Sequence, residues 1–383
     1  MYRNNLQNTI HMDIKIILSE VSDPRRSHLQ VHTLECIFGI TIAAVMGGAD
    51  SWYEVEDFGY SHEAFFRRHI KTYNGIPSHD TFNRVFSLIS PDELERGFRK
   101  WVNSIWGKPL GTVAIDGKEI CGAREELRNG CRRMLRMVSA WSCEGHVSLG
   151  QVKVSDKSNE ITAIPKLLRA LDMTGNVVTI DSIGCQRKIV SKIDTRKTDF
   201  VIQVKENQKG LLNSIKTMFD WLDSDTGCPF PGWLSEHVSE EKGHGRIEKR
   251  HCMVLTNRVI ERIIKWEKVK SIVCIVNFRK DLNTLERSEE RHYYITSIKD
   301  DAGRVAKAVR EHWQVENNLH WQLDVSFDED DTRKKGNAAR NFSLITKIVL
   351  AEIKKSTRKG SIKGRRKAAG WNEEYLLELL SDL

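Results

Sequence analysis

Residues 175–205 read GNVVTIDSIGCQRKIVSKIDTRKTDFVIQVK. The run from Asn176 to Ile180 is short, apolar and β-branched, and it ends on Asp181; TDFVIQVK (198–205) has the same texture. QRKIVSKIDTRK between them (186–197) reads as helix, so the stretch is strand, helix, strand. Upstream, GTVAIDG (111–117) is a β-rich run ending on Asp116. RMLRMVSAWS (133–142) and GHVSLGQVKVS (145–155) follow as strands about the turn-prone CEGH. SNEITAIPKLLRALD (158–172) is amphipathic, with a loop–helix boundary expected at Pro165. Three strands, helix, strand, helix, strand predicts an α/β fold: a mixed sheet flanked by helices.

The flanks differ in texture. Residues 1–108 read as a helical domain. HTLECIFGITIAAVMGG (32–48) stops at Gly47-Gly48, Ser78 is an N-cap, and Ser90, Pro91 and Glu93 spell a capping box at the next helix. Residues 109–353 make the second unit, interrupted at about 206–298 by a β-rich insertion. Its strands are expected in RHCMVLTN, KSIVCIVNF and RHYYITSI, with EEKGHGRIEKR (240–250) lying before the first. A helix is expected from about 302 to 323, and residues 354–383 read as a basic tail and a final amphipathic helix. The tail holds eight basic residues in fourteen, KKSTRKGSIKGRRK.

The 383 residues carry 60 Lys and Arg against 52 Asp and Glu, a net charge of +8 that favours a polyanionic partner, nucleic acid before membrane. The longest apolar run, CIFGITIAAVMGGA, has 14 residues, short of the ~20 that a spanning helix needs. Eight cysteines without a CxxC read as reduced thiols of a cytoplasmic protein.

VAIDG and VTIDS share one form: an apolar strand, Asp, then a small residue. Strand ends let a side chain leave the core while the strand fixes its position. A strand-end Asp alone often only caps a turn. If the two strands are neighbours, however, Asp116 and Asp181 converge and repel, and a hard divalent cation, Mg²⁺ or Mn²⁺, relieves the repulsion. A third acid completes a two-metal site for phosphodiester chemistry. Candidates crowd VREHWQVENNLHWQLDVSFDED (309–330). At helical spacing His312, Glu316 and His320 form one row, which Asp324 loosely continues, while the four acids 328–331 read as a solvated turn. The row lacks the HExxH spacing of a zinc helix, so its histidines are expected to contact phosphate or orient the Glu.

At these motifs the chain resembles the H-repeat-associated branch of the bacterial insertion-sequence DDE transposases. IPSHDTFNRVF, VAIDGKEI, LGQVKVSDKSNEITAIPKLLRALD, VVTIDSIGCQ, VKENQ, HGRIEKR, YYITS and HWQVENNLHWQLDVSFDEDDTR carry the likeness in order along nearly the whole chain. The resemblance implies an RNase H-like core and makes Asp116, Asp181 and Glu316 the catalytic, metal-binding triad. It implies cleavage at insertion-sequence ends and transfer of the 3′-OH to target DNA. Related transposases often set a Tyr, an Arg and a Lys around this Glu; here Val309, His312 and Leu323 hold those places. His312 and His320, together with Lys118, Arg187, Lys188, Lys205, Arg246, Arg250, Arg365 and Arg366, are the expected phosphate contacts. The expected partner is double-stranded DNA, bound by a homodimer or higher oligomer because two ends must meet, at the bacterial nucleoid and not at a membrane. Two alternatives remain at this level: an inactive or domesticated DNA-binding remnant, and a metal-dependent nuclease without strand transfer.

Overall fold

The computed structural model describes residues 14–70, 72–108, 111–126, 132–155, 159–195, 197–222, 233–243 and 245–381. Among these, a nine-stranded mixed sheet runs in the order β3-β2-β1-β4-β5-β9-β8-β7-β6. The strands are β1 Gly111–Glu126, β2 Arg132–Ser142, β3 Val147–Lys153, β4 Asn176–Ile180, β5 Asp199–Val204, β6 Leu234–Gly243, β7 Arg246–Thr256, β8 Ser271–Asp281 and β9 Arg287–Thr296. β1, β4 and β5 are parallel; every other pairing is antiparallel.

Period-two alternation sorts the central strands between two layers. Val178, Ile180, Phe200 and Ile202 face the main core, while Val177 and Val201 face a second cluster. Ala302, Val305 and Ala308, spaced by one helical turn, bring the helix Ala302–Val315 onto that second face. The main core continues into the helical layer around Leu34–Met46, buried from Cys36 to Met46, and Gly336–Lys355, buried over most of its length.

Several sequence expectations need correction. The inserted strands extend the same sheet, because β9 pairs with β5. EEKGHGRIEKR is no connector: residues 240–243 end β6 and residues 246–250 begin β7, with Gly243 opposite Arg246. Its charged residues hide the strand signal because much of β6 is solvent-exposed. Pro165 lies inside the helix Glu160–Ala170. Among the described residues between β4 and β5, Arg187–Val190 alone forms an α-helix. The capping box at Ser90 does not form; Glu93 instead accepts from the Ser22 amide at 3.0 Å and its hydroxyl at 2.7 Å.

Nor is the basic segment a tail. The helices Ile362–Trp371 and Glu373–Ser381 pack on the helical layer. Arg366 is 3% exposed, and it donates to the carbonyls of Val45, Ala49 and Ser326 and to Asp50. Lys354 lies over Trp141 and Lys355 over Trp106, at 4.7 Å in each case. The six described cysteines are unbridged; Cys131 and Cys228 lie outside the described residues. Among the described residues no helix is long and apolar enough to cross a membrane.

Candidate active site

Ile115 and Ile180 are the last partners of the parallel pair β1–β4. β4 stops there, so Asp181 leaves the sheet, and its carboxylate caps the next turn by accepting from the Gly184 amide. β1 does not stop: beyond Asp116 it keeps pairing with β2, Asp116 opposite Ser139 and Gly117 opposite Val138. Asp116 is therefore a mid-strand residue beside a neighbour that has ended, and the crevice opens on the β4 side alone. The period of two gives Asp116 the face of Ala114, and Asp181 the face of Thr179. Ala114 and Thr179 are partners, so the two carboxylates share a face.

That face is the one covered by the helix Ala302–Val315. His312 Nδ1 and Thr179 Oγ1 share a hydrogen bond of 3.0 Å, so this histidine is docked onto β4. The helix then widens into a π turn, Glu316–His320, in which the Trp321 amide bonds the Glu316 carbonyl, before continuing as Trp321–Phe327. An extra residue in a helical turn rotates everything after it, a recurrent device at functional sites. The wide turn lies between Glu316 and His320 and breaks the expected row there. Glu316 is exposed, whereas His320 is 9% exposed, with Nδ1 3.4 Å from Asp116 Oδ2.

The electrostatics separate the two aspartates. Burial works to raise the Asp116 carboxyl, but the hydrogen bond and charge of His320, the charge of His312 and the Gly117 amide hold it below its usual range. Burial and the charge of Asp116 raise Asp181, against the amides of Gly184 and Ile183 and the charge of Lys205. Burial lowers His312 and favours its neutral ring. A carboxylate that the sequence did not single out also feels the charges of the pair. Glu160 is pushed up to about 7 by burial and by the charges of Asp181 and Asp116. Among the described residues, no three His, Cys, Asp or Glu side chains gather at metal-ligand spacing.

The expected phosphate contacts divide. Lys118 is a correction: its ammonium is enclosed by Asp324, Glu329 at 2.9 Å and Asp330 at 3.7 Å, with the side chain 11% exposed. Two of the acids expected in a solvated turn, Glu329 and Asp330, are thus its partners, and Glu329 is buried. Arg365 and Arg366 are held by backbone carbonyls, and His312 and His320 by Thr179 and Asp116, so none of the four is a free contact. Arg187 stacks its guanidinium 5.0 Å from the Trp266 ring centre. Lys205 is exposed and lines a groove of about 450 Å³ with Ser182, Ile183 and His292. Arg246 and Arg250 line a second groove of about 580 Å³, between the inserted strands and the Ala302–Val315 helix, with Lys307, Arg310 and Trp313. Glu241 and Glu248 pair with these arginines, and Gln203 and His292 border both grooves.

Comparison with known proteins adds an independent finding. Residues 108–351 match the family model described as "Transposase DDE domain", and residues 16–102 match "DDE_Tnp_1-associated". The "H repeat-associated putative transposase YhhI" of Escherichia coli (strain K12) is 34% identical over 97% of this chain and 99% of its own length. YncI of Escherichia coli O157:H7, which bears a similar name, is 37% identical over 95% of this chain and 93% of its own. The "Inactive transposase YbfQ" of strain K12 is 40% identical over 20% of this chain and 94% of its own. A solved piggyBac transposase synaptic complex with hairpin DNA aligns over 99% of this chain and 82% of that one at 12% identity, with a TM-score of 0.42 that carries no argument.

Proposed function

The chain belongs to the transposase DDE domain family, and we propose that it is a DNA transposase with an RNase H-like core, which cuts phosphodiester bonds at the ends of its own insertion sequence and joins the freed 3′-OH to target DNA. The observation that carries this reading is the adjacency of Asp116 and Asp181, one position beyond the last parallel pair of β1 and β4. The order β3-β2-β1-β4-β5, with β1, β4 and β5 parallel, supports the RNase H-like assignment.

Asp116, Asp181 and Glu316 would hold Mg²⁺ or Mn²⁺. The donors fit such an ion: they are hard oxygens, and Asp181 is raised by burial and by the charge of Asp116, a cost that a cation removes. When bound, the cation neutralises phosphate charge and activates the attacking oxygen, water in cleavage and the 3′-OH in joining. The chain's own residues do the rest. His320 keeps Asp116 ionised and oriented. His312 fixes the helix of Glu316 to β4. Lys205, Arg246, Arg250 and Arg310, exposed or lining the two grooves, track the phosphates and position the duplex. Both reactions are in-line displacements at phosphorus, so one site serves both, and no covalent intermediate with the protein is needed.

The test is incubation with labelled element ends, Mg²⁺ or Mn²⁺ and a target plasmid. Joined product that is lost in Asp116→Ala and Asp181→Ala supports the reading. Cleavage without joining identifies a nuclease, and metal-independent binding without product identifies an inactive remnant; either outcome refutes it.

A further inference from the structure

The carboxylate that the electrostatics set against both aspartates is not in the sequence-derived triad. Glu160 is the first residue of the helix Glu160–Ala170, and Asn159 precedes it as N-cap. Ala163, Ile164 and Leu167 are the buried face of that helix. Positions three and four apart share a face, so burying Ala163 and Ile164 also turns Glu160 toward the sheet. There it meets Gly117, the residue after Asp116. A Cβ built on Gly117 would stand 2.3 Å from the Glu160 Cδ and 2.3 Å from its Oε1. Gly117 is turned to the face opposite Asp116, so its missing side chain is a cradle that admits this carboxylate to β1 from the other side of the sheet, at the level where β4 has already ended.

A glutamate in a first helical turn is favoured by the helix dipole, but a carboxylate directed at solvent meets that preference equally well. Here it is half-buried and repelled by Asp181, Asp116 and Glu119, with Arg136 the attractive charge named against them. Arg136 is itself paired with Glu119. Three carboxylates whose charges oppose one another around the end of β4 are mutually unfavourable without a cation and favourable with one.

We propose that Glu160 is a metal-holding carboxylate of this site, acting beside Asp116 and Asp181 in the cradle left by Gly117. The proposal rests on the reading of that pair as the metal centre, and it adds a residue that the Asp116, Asp181, Glu316 triad lacks. Glu160 reaches the site from the helix that follows β3, opposite in chain order to the helix of Glu316, so the aspartates receive acids from two separate elements.

The test is Mn²⁺ binding to the full chain without DNA, read by isothermal titration calorimetry. Four proteins are compared: wild type, Glu160→Gln, Gly117→Ala and Asp116→Asn. Glu160→Gln keeps the shape and removes the charge; Gly117→Ala keeps every charge and displaces the flexible end of Glu160. Each is expected to weaken Mn²⁺ binding by roughly 10-fold, and Asp116→Asn by at least as much. Wild-type affinity in Glu160→Gln and Gly117→Ala, with binding lost in Asp116→Asn, overturns the role of Glu160 and leaves the aspartate site standing. Wild-type affinity in all three overturns the metal centre and this proposal with it. If Glu160→Gln does not fold, Gly117→Ala decides alone.

Discussion

The imidazole Nδ1 of His320 stands 3.4 Å from Oδ2 of Asp116. This contact exists because the helix carrying His320 contains a π turn, which brings the ring inward as Glu316 stays exposed. His320→Ala removes the group that orients the carboxylate and holds its proton affinity down. DNA joining should fall by about 10–100-fold, the range seen when supports of metal ligands are removed. His320→Gln, which retains a donor, should recover part of the loss. Unchanged joining rates in His320→Ala would show that the contact is incidental.

Lys118 is a structural cation. Replacing it with Ala strands Asp324 and Glu329, the latter 6% exposed, without their partner. Urea unfolding should show a loss of about 3–5 kcal/mol, the cost of breaking a buried pair from one side. Lys205→Ala, at an exposed position, should stay within about 0.5 kcal/mol of wild type. Comparable stabilities for the two variants would refute the distinction.

Glu160 makes stability depend on pH in a stated direction. Its folded value of about 7 lies above the usual 4.5, so the folded chain keeps a proton that the unfolded chain releases. Its contribution is therefore lost as pH rises from about 4.5 through about 7. Without metal, the Tm of Glu160→Gln should exceed that of wild type by a margin that grows across this window and then levels. A constant margin from pH 5 to 8 would contradict it.

Arg310 is half-exposed, pairs with Glu241 at 3.1 Å and lines the larger groove. If that groove tracks phosphates, Arg310→Ala should weaken duplex binding similarly for all sequences. It should also reduce the slope of log K against log salt by about 1. An unaltered slope in fluorescence anisotropy titrations would place the duplex elsewhere.

The sequence determined the strands that carry Asp116 and Asp181 to one end of the central sheet. Apolar, β-branched runs before Asp116 and Asp181 predict strands, and both strands are present and adjacent. Local patterning suffices there because a strand buried on both faces has few alternatives. It failed at β6 and the start of β7, where exposure removes the apolar signal. It also failed for the basic segment, because charge composition does not reveal which carbonyls or carboxylates a cation will meet.

Tertiary structure alone decided the surroundings of the acids. A period of 3.6 puts His312, Glu316 and His320 in one row, and one wide turn parts His320 from the other two. Glu160 is 44 residues beyond Asp116 in the chain, and only the ending of β4 and the bare backbone of Gly117 bring their charges together. Spacing along the chain encodes local geometry, whereas Coulomb interactions act through space, so which charges meet is settled only when the sheet closes.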